Sequence, residues 1–254
     1  MSKALLSRVG SVPYLNAVPL TYGLEGHVDF LPPAQLAAKL REGGLDAALV
    51  SVTEVLFNPG YHILDGIAVS GRGTIKSVFL AHRRSLEETG TIWCDTASLT
   101  SVNLLRVLLA ERGLNPKFEP LPNYHSAAEF DAVLLIGNPA IDFFRSNPPH
   151  VFCDLGAAWF ALTSLPFVYA VWALREGSDH LALRQCLRDS ARRGLENLDE
   201  IIQNRTDYDL EFRHDYLRDH IHYELGVDEK RGLKEFVNLL RKHSGQRVFD
   251  PIFV

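Results

Sequence analysis

Ser11-Val12-Pro13-Tyr14-Leu15-Asn16 places a hydroxyl, a phenol and a carboxamide within one short stretch. Such groups exchange hydrogen bonds with a ligand without bringing charge, although ordinary turn chemistry also accounts for Pro13 and Asn16. Asp95-Thr96-Ala97-Ser98-Leu99-Thr100-Ser101 is richer still in hydroxyls. If a helix starts there, its free N–H groups and dipole favour an anion, and these side chains surround them. Capping by Thr100 or Ser101 is the plainer use, but one cap needs only one hydroxyl. Gly137-Asn138-Pro139 is a third candidate. Its glycine permits close backbone approach, and Asn138 either caps a helix or meets a ligand. Ser51, Thr53 and Ser77 fall at expected strand ends, where each also suits a cap or turn. Arg72 and Lys76 occupy a glycine-bearing loop and can attract an anion, solvation being their default. The chemistry open to this set is recognition of a small carboxylate by neutral donors.

Other chemistries find little support. His214, His220 and His222 with Glu224 do not fit the H-E-x-x-H spacing, so no metal site is expected. No G-x-G-x-x-G, Walker loop or G-x-S-x-G elbow occurs, and no cofactor is expected. Cys94, Cys153 and Cys186 are odd in number and form no C-x-x-C pair, which points to buried thiols in a reducing compartment.

The elements that must hold these residues alternate between short apolar runs and helical patterns, the signature of parallel sheets with crossover helices. Strands are expected at 9–12, 28–31, 45–50, 63–70, 77–82, 91–94, 118–120, 132–136, 151–154 and 167–173. Helices are expected from Pro33 to Arg41, from Ser51 to Phe57 and from Ser101 to Arg112, with glycines closing the first and last. The C-terminal third reads as three helices, 180–204, 209–225 and 228–243, with charged outer faces. The first motif thus comes directly after a strand, and the second and third each sit between a strand and a helix. In open α/β sheets these carboxyl edges are where ligands bind.

The 254 residues suffice for two lobes with separate cores. We expect lobe one to comprise 1–82 and 171–254, and lobe two 83–170, with a ligand cleft between them. The net charge of −5 gives a nucleic-acid partner no electrostatic support. Arg8 interrupts the first apolar run before a signal-peptide core forms, and no apolar run spans a bilayer. A cytoplasmic protein without a membrane partner is therefore expected; the sequence sets no oligomeric state.

Several segments, in order, resemble one family: Val9-Gly10-Ser11-Val12-Pro13-Tyr14-Leu15-Asn16 with Pro19-Leu20; Leu45 to Ser51; Ser70-Gly71 with Ser77-Val78-Phe79-Leu80; Ser98 to Ser101; Leu135-Ile136-Gly137; and Asp154-Leu155-Gly156, Trp159 and Thr163 to Trp172. Together they look like the MqnA family, the chorismate dehydratases of the futalosine route to menaquinone. The likeness covers the first two thirds of the chain, and the last third carries no usable motif. One departure is Asn138, where the family is expected to have Asp.

The resemblance implies an α/β, two-lobed periplasmic-binding-protein-like (type II) fold used as an enzyme, with an interlobe cleft. It implies conversion of chorismate to 3-[(1-carboxyvinyl)oxy]benzoate and water. It makes Asn16 the candidate catalytic residue and Ser11, Tyr14, Ser51, Ser77, Ser98, Thr100, Ser101, Gly137 and Asn138 the candidate substrate-binding set. A sibling 1,4-dihydroxy-6-naphthoate synthase on the same fold, or a non-catalytic carboxylate-binding module, remains a competing reading; Tyr14-Leu15-Asn16 argues against the sibling.

Overall fold

The computed structural model of the protein describes residues 7–95, 97 and 99–254. The chain begins with β1 (Val9–Ser11), a 3-10 helix at Leu15–Thr21, β2 (Val28–Phe30), α1 (Pro33–Arg41), β3 (Ala47–Ser51), α2 (Val52–Phe57) and β4 (Tyr61–Gly71). It crosses to a second lobe of β5 (Val78–His82), β6 (Thr91–Cys94), α3 (Leu99–Ala110), β7 (Lys117–Pro120), β8 (Ala132–Ile136), α4 (Gly137–Arg145) and β9 (Val151–Asp154). Helix α5 (Leu155–Thr163) leads back to β10 (Phe167–Arg175), then α6 (Leu181–Glu196), α7 (Leu198–Asn204) and α8 (Leu210–Asp215). A π-helical turn at Tyr216–His220, β11 (His222–Leu225) and α9 (Val227–His243) complete it.

Two sheets define the lobes. One runs β11-β4-β10-β3-β1-β2 and the other β7-β6-β8-β5-β9. Each has a parallel half, β2-β1-β3 and β7-β6-β8, extended by antiparallel strands. Ala47–Val50 of β3 and all of β8 are buried. Strands covered on both faces read as continuous apolar runs, and both stood out in the sequence for that reason. The carboxyl edges of β1 and β3 face those of β6 and β8 across the cleft, so the motifs just after these strands meet there.

Pairing moves the expected lobe boundaries. Val78–His82, assigned above to lobe one, pairs with β8 and β9 in the second sheet. Phe167 and Ala170, assigned to lobe two, pair with β4 in the first. The crossings therefore lie at 72–77 and 155–166. An apolar run identifies a strand but not its partners, and register was the missing information. Asp154 ties the two crossings together: its carboxylate accepts N–H bonds from Ile75 at 3.1 Å, Lys76 at 2.9 Å and Ala157 at 3.0 Å, the last capping α5.

The C-terminal third departs most from expectation. The helix expected at 209–225 ends as the π-helical turn, and residues 222–225 form an antiparallel strand on β4. Tyr223 and Leu225 are buried and Glu224 is exposed, a two-residue period too short to stand out against the helical charges around it. The helix expected at 180–204 breaks at Asn197. This third also holds the first motif in place. A Cβ on Gly194 of α6 would lie 1.9 Å from the Pro19 carbonyl oxygen, so only glycine lets α6 approach the 3-10 helix so closely. Beside it, Ser190 Oγ donates to the carbonyls of Leu20 at 3.2 Å and Tyr22 at 3.0 Å.

Candidate active site between the lobes

A cavity of about 80 Å³ lies between the sheets. Lobe one lines it with Tyr14, Asn16, Ser51 and Tyr169, the second lobe with Ser101 and Gly137, and the first crossing with Ser77. Val12, Leu49, Val69 and Ile136 supply apolar wall. Among the described residues that line it there is no carboxylate, imidazole, ammonium or guanidinium.

Each polar group arrives by a local rule. Pro13 ends β1, and Asn16 follows on the 3-10 helix whose carbonyls α6 clamps. Ser51 ends β3 and is the N-cap residue of α2, without a side-chain capping bond. Ser101 lies in the first turn of α3, which begins at Leu99 rather than at Ser101. Gly137 has φ of 57°; in this left-handed conformation a side chain is strained.

Several expected residues are placed elsewhere. Thr100 turns across the cleft, where its Oγ1 accepts from the Thr53 backbone N–H at 3.2 Å and lies 3.1 Å from Thr53 Oγ1. It bridges the starts of α2 and α3 and does not line the cavity. Ser11 is fully buried behind the wall, and among the described residues its hydroxyl has no hydrogen-bond partner. Asn138 does not cap α4, whose N-cap is Ile136, and its backbone carbonyl accepts from Tyr208 at 3.4 Å. Ser98 lies outside the described residues. Lys76 pairs with Asp215 at 2.5 Å and Arg72 sits over the Phe160 ring at 5.6 Å, so both have partners away from the cavity.

Charge near the cavity is held one step back. Asp95 accepts from Tyr124 at 3.1 Å on each oxygen and from the Ala97 N–H at 2.8 Å. Burial raises its pKa against those bonds. The Tyr14 hydroxyl is pushed up to about 12, mainly by burial and then by Asp95 across the cleft. Tyr14 is thus a neutral donor at physiological pH.

Two residues went unnoticed as site residues in the sequence. Tyr169 of β10 lines the cavity, and its hydroxyl is buried without a partner among the described residues. A buried unpaired hydroxyl costs about 1–3 kcal/mol, so this one is suited to a ligand. Tyr216 stands behind the wall, hydrogen-bonded to Ser77 at 2.9 Å. A tyrosine in an apolar strand and another in a charged helical stretch give no signal that separates them from core residues.

Known proteins share both this sequence pattern and this fold. The model of a family described as menaquinone biosynthesis matches residues 7–242. A chorismate dehydratase of Thermus thermophilus is 33% identical, covering 91% of this chain and 94% of its own. Among solved structures, an Archaeoglobus fulgidus protein superposes with a TM-score of 0.74 at 18% identity, over 93% of this chain and 97% of that one. The alkanesulfonate-binding protein of Xanthomonas axonopodis bound to MOPS gives 0.69 at 14%, over 95% of each chain. These two likenesses concern the fold, that of periplasmic binding proteins.

Proposed function

Since the chain belongs to the menaquinone biosynthesis family, we propose that it is a chorismate dehydratase, a hydro-lyase that converts chorismate to 3-[(1-carboxyvinyl)oxy]benzoate and water. The observation that carries this reading is the interlobe cavity walled by neutral donors. Chorismate presents two carboxylates and a hydroxyl. Hydroxyls, the Tyr14 phenol and the N–H groups at the start of α3 can hold such an anion without a paired cation that would itself need desolvation. The same reading puts the enzyme in the cytoplasm, in keeping with three free thiols.

The reaction removes a ring proton and the neighbouring hydroxyl, and the ring becomes aromatic. Little covalent help is needed; a fixed conformation, stabilised charge and excluded water suffice. In our mechanism the lobes close on chorismate, and Ser101 and the start of α3 bind one carboxylate. The ring carboxylate spreads the charge that develops as the proton leaves. Asn16 orients the enolpyruvyl group or the departing hydroxyl, since a carboxamide is too weak a base to take the proton. With no basic side chain among the described lining residues, the substrate's own side-chain carboxylate is the acceptor.

Incubation with chorismate followed by mass analysis tests the reading. A product lighter by one water is expected, and Asn16→Ala should abolish most of its formation. Chorismate that binds yet stays unchanged over hours would make the protein a binding module. Turnover of the naphthoate synthase's substrate instead would assign it to the sibling activity.

A further inference from the structure

The interlobe cavity is small for the molecule proposed to occupy it. A hollow of about 150 Å³ in a protein interior admits a bare benzene ring, and this one holds about 80 Å³. A six-membered ring with a carboxylate, a hydroxyl and an enolpyruvyl ether cannot lie wholly inside it. Pro33 and Ser51 line the cavity and also a groove of about 150 Å³ beside it. The groove is walled by α1 and α2 of lobe one and, from the second lobe, by Ala97 and Leu99 where α3 begins. Ala34, Ala37 and Arg41 recur on α1 at the three- and four-residue spacing that shares one helix face. Two of the three are too small to fill the space beside them.

Arg41 is the only cation among the described residues lining either hollow, as Glu54 is the only carboxylate. Its Nη1 donates to Glu54 Oε2 at 2.5 Å. Glu54 is buried, and its other oxygen accepts from Asn58 Nδ2 at 3.2 Å and from the Tyr61 hydroxyl at 3.5 Å. The carboxylate is thus a fixed anchor for a guanidinium that is itself 43% exposed. A guanidinium has five N–H donors in a rigid fork, and that bond uses one. An anion entering the groove meets a fork already oriented.

We propose that this groove is an outer subsite for the ring carboxylate of the substrate, with Arg41, anchored on Glu54, as its binding residue. The inference rests on the chorismate dehydratase reading. It divides the two carboxylates by their chemistry. The ring carboxylate takes up charge as the proton leaves, so a guanidinium on it favours the transition state over the ground state. The side-chain carboxylate is the proton acceptor, and a cation on it would lower its basicity. It stays inside with Ser101, where the described lining carries no cation. Arg41, being partly exposed, keeps some of its hydration while it binds, which limits the desolvation cost.

Two ligands that differ in that one carboxylate test the division. The product, 3-[(1-carboxyvinyl)oxy]benzoate, carries both groups; 2-phenoxyacrylate lacks the one on the ring. In calorimetric titrations the wild-type protein should bind the product about 10- to 100-fold more tightly, the usual worth of hydrogen bonds to a charged group. Equal affinity, or binding of neither, would overturn the proposal without recourse to any variant. Replacing both partners, Arg41→Gln with Glu54→Gln, avoids leaving a buried carboxylate unpaired. In this double variant the preference should vanish through weaker binding of the product, with 2-phenoxyacrylate changed less than about threefold. Both ligands weakened alike would make the ion pair merely structural and end the proposal.

Turnover separates the subsite from the reading beneath it. In the double variant kcat/KM for chorismate should fall about 10- to 100-fold, part of the loss lying in kcat; an unchanged value would overturn the subsite. A wild-type protein that leaves chorismate intact, yet shows the ring-carboxylate preference and loses it in the double variant, would refute the dehydratase reading and leave the subsite standing. A wild type that turns over chorismate without that preference would do the reverse.

Discussion

Two strand-to-helix junctions of the second lobe, β6 into α3 and β8 into α4, open on the same cavity and serve it by different means. At the first, successive helical residues are turned by about 100°. Ser101 therefore reaches the cavity while Thr100 reaches Thr53 in the other lobe. At the second, Gly137 meets the cavity with bare backbone, while Asn138 does not line it and offers its backbone carbonyl to Tyr208. One junction offers side chains and a bond that joins the lobes; the other offers bare backbone in a left-handed conformation that strains a side chain. Two segments that both look like helix caps with polar residues thus have distinct duties, set by which residue the helix happens to aim inward.

The contrast can be broken at four points. The largest effect is expected from Gly137→Val, which forces a β-branched residue into the left-handed region beside the Tyr14 ring. We expect kcat/KM to fall at least about 100-fold through strain and crowding. Gly137→Ala, whose Cβ would rest 3.6 Å from that ring, should lose clearly less. A valine variant of normal activity would show that the backbone there is not used. Next, Ser101→Ala should raise KM about 10- to 100-fold, the usual worth of a hydrogen bond to a charged group; steady-state kinetics with chorismate measure it.

Smaller effects belong to the residues aimed away. Thr100→Val leaves the buried Thr53 N–H unpaired, at a cost of about 1–3 kcal/mol. Its melting midpoint should drop by about 3–9 °C while kcat changes little. A large kcat loss at unchanged stability would put Thr100 on the substrate after all. Smallest is Asn138→Asp, which restores the acid expected from family resemblance. Set off the cavity wall, it should leave kcat/KM within about twofold. A slight rise in melting midpoint is expected, because a carboxylate suits the first turn of a helix.

Much of this was legible because local chemistry and position coincide in the sequence. Buried parallel strands advertise themselves as apolar runs, and the residues just beyond them must sit at a carboxyl edge. Tyr14, Asn16, Ser51, Ser77, Ser101 and Gly137 were found that way, and all reach the cavity. Thr100, Ser11 and Asn138 were found by the same logic and do not, since a position one residue off along a helix or strand faces another way. Tyr216 and Tyr169 were missed because an aromatic residue that supports a site and one that fills a core have the same local signature. The crossing points were displaced because strand partners, unlike strands, are not written locally.

The sequence by itself determined the alternation of strands and helices, the two-lobed α/β class and the neutral, hydroxyl-rich character of the candidate site. These derive from hydrophobic period, glycine and proline placement, and side-chain chemistry, all local quantities. Only the tertiary structure decided which hydroxyls face the cavity, which one joins the lobes, and that the C-terminal third clamps the Asn16 helix through Gly194 and reaches Ser77 through Tyr216. Those outcomes depend on contacts between residues far apart in the chain, Ser190 and Leu20 being separated by 170 positions, and they are fixed by packing rather than by local preference.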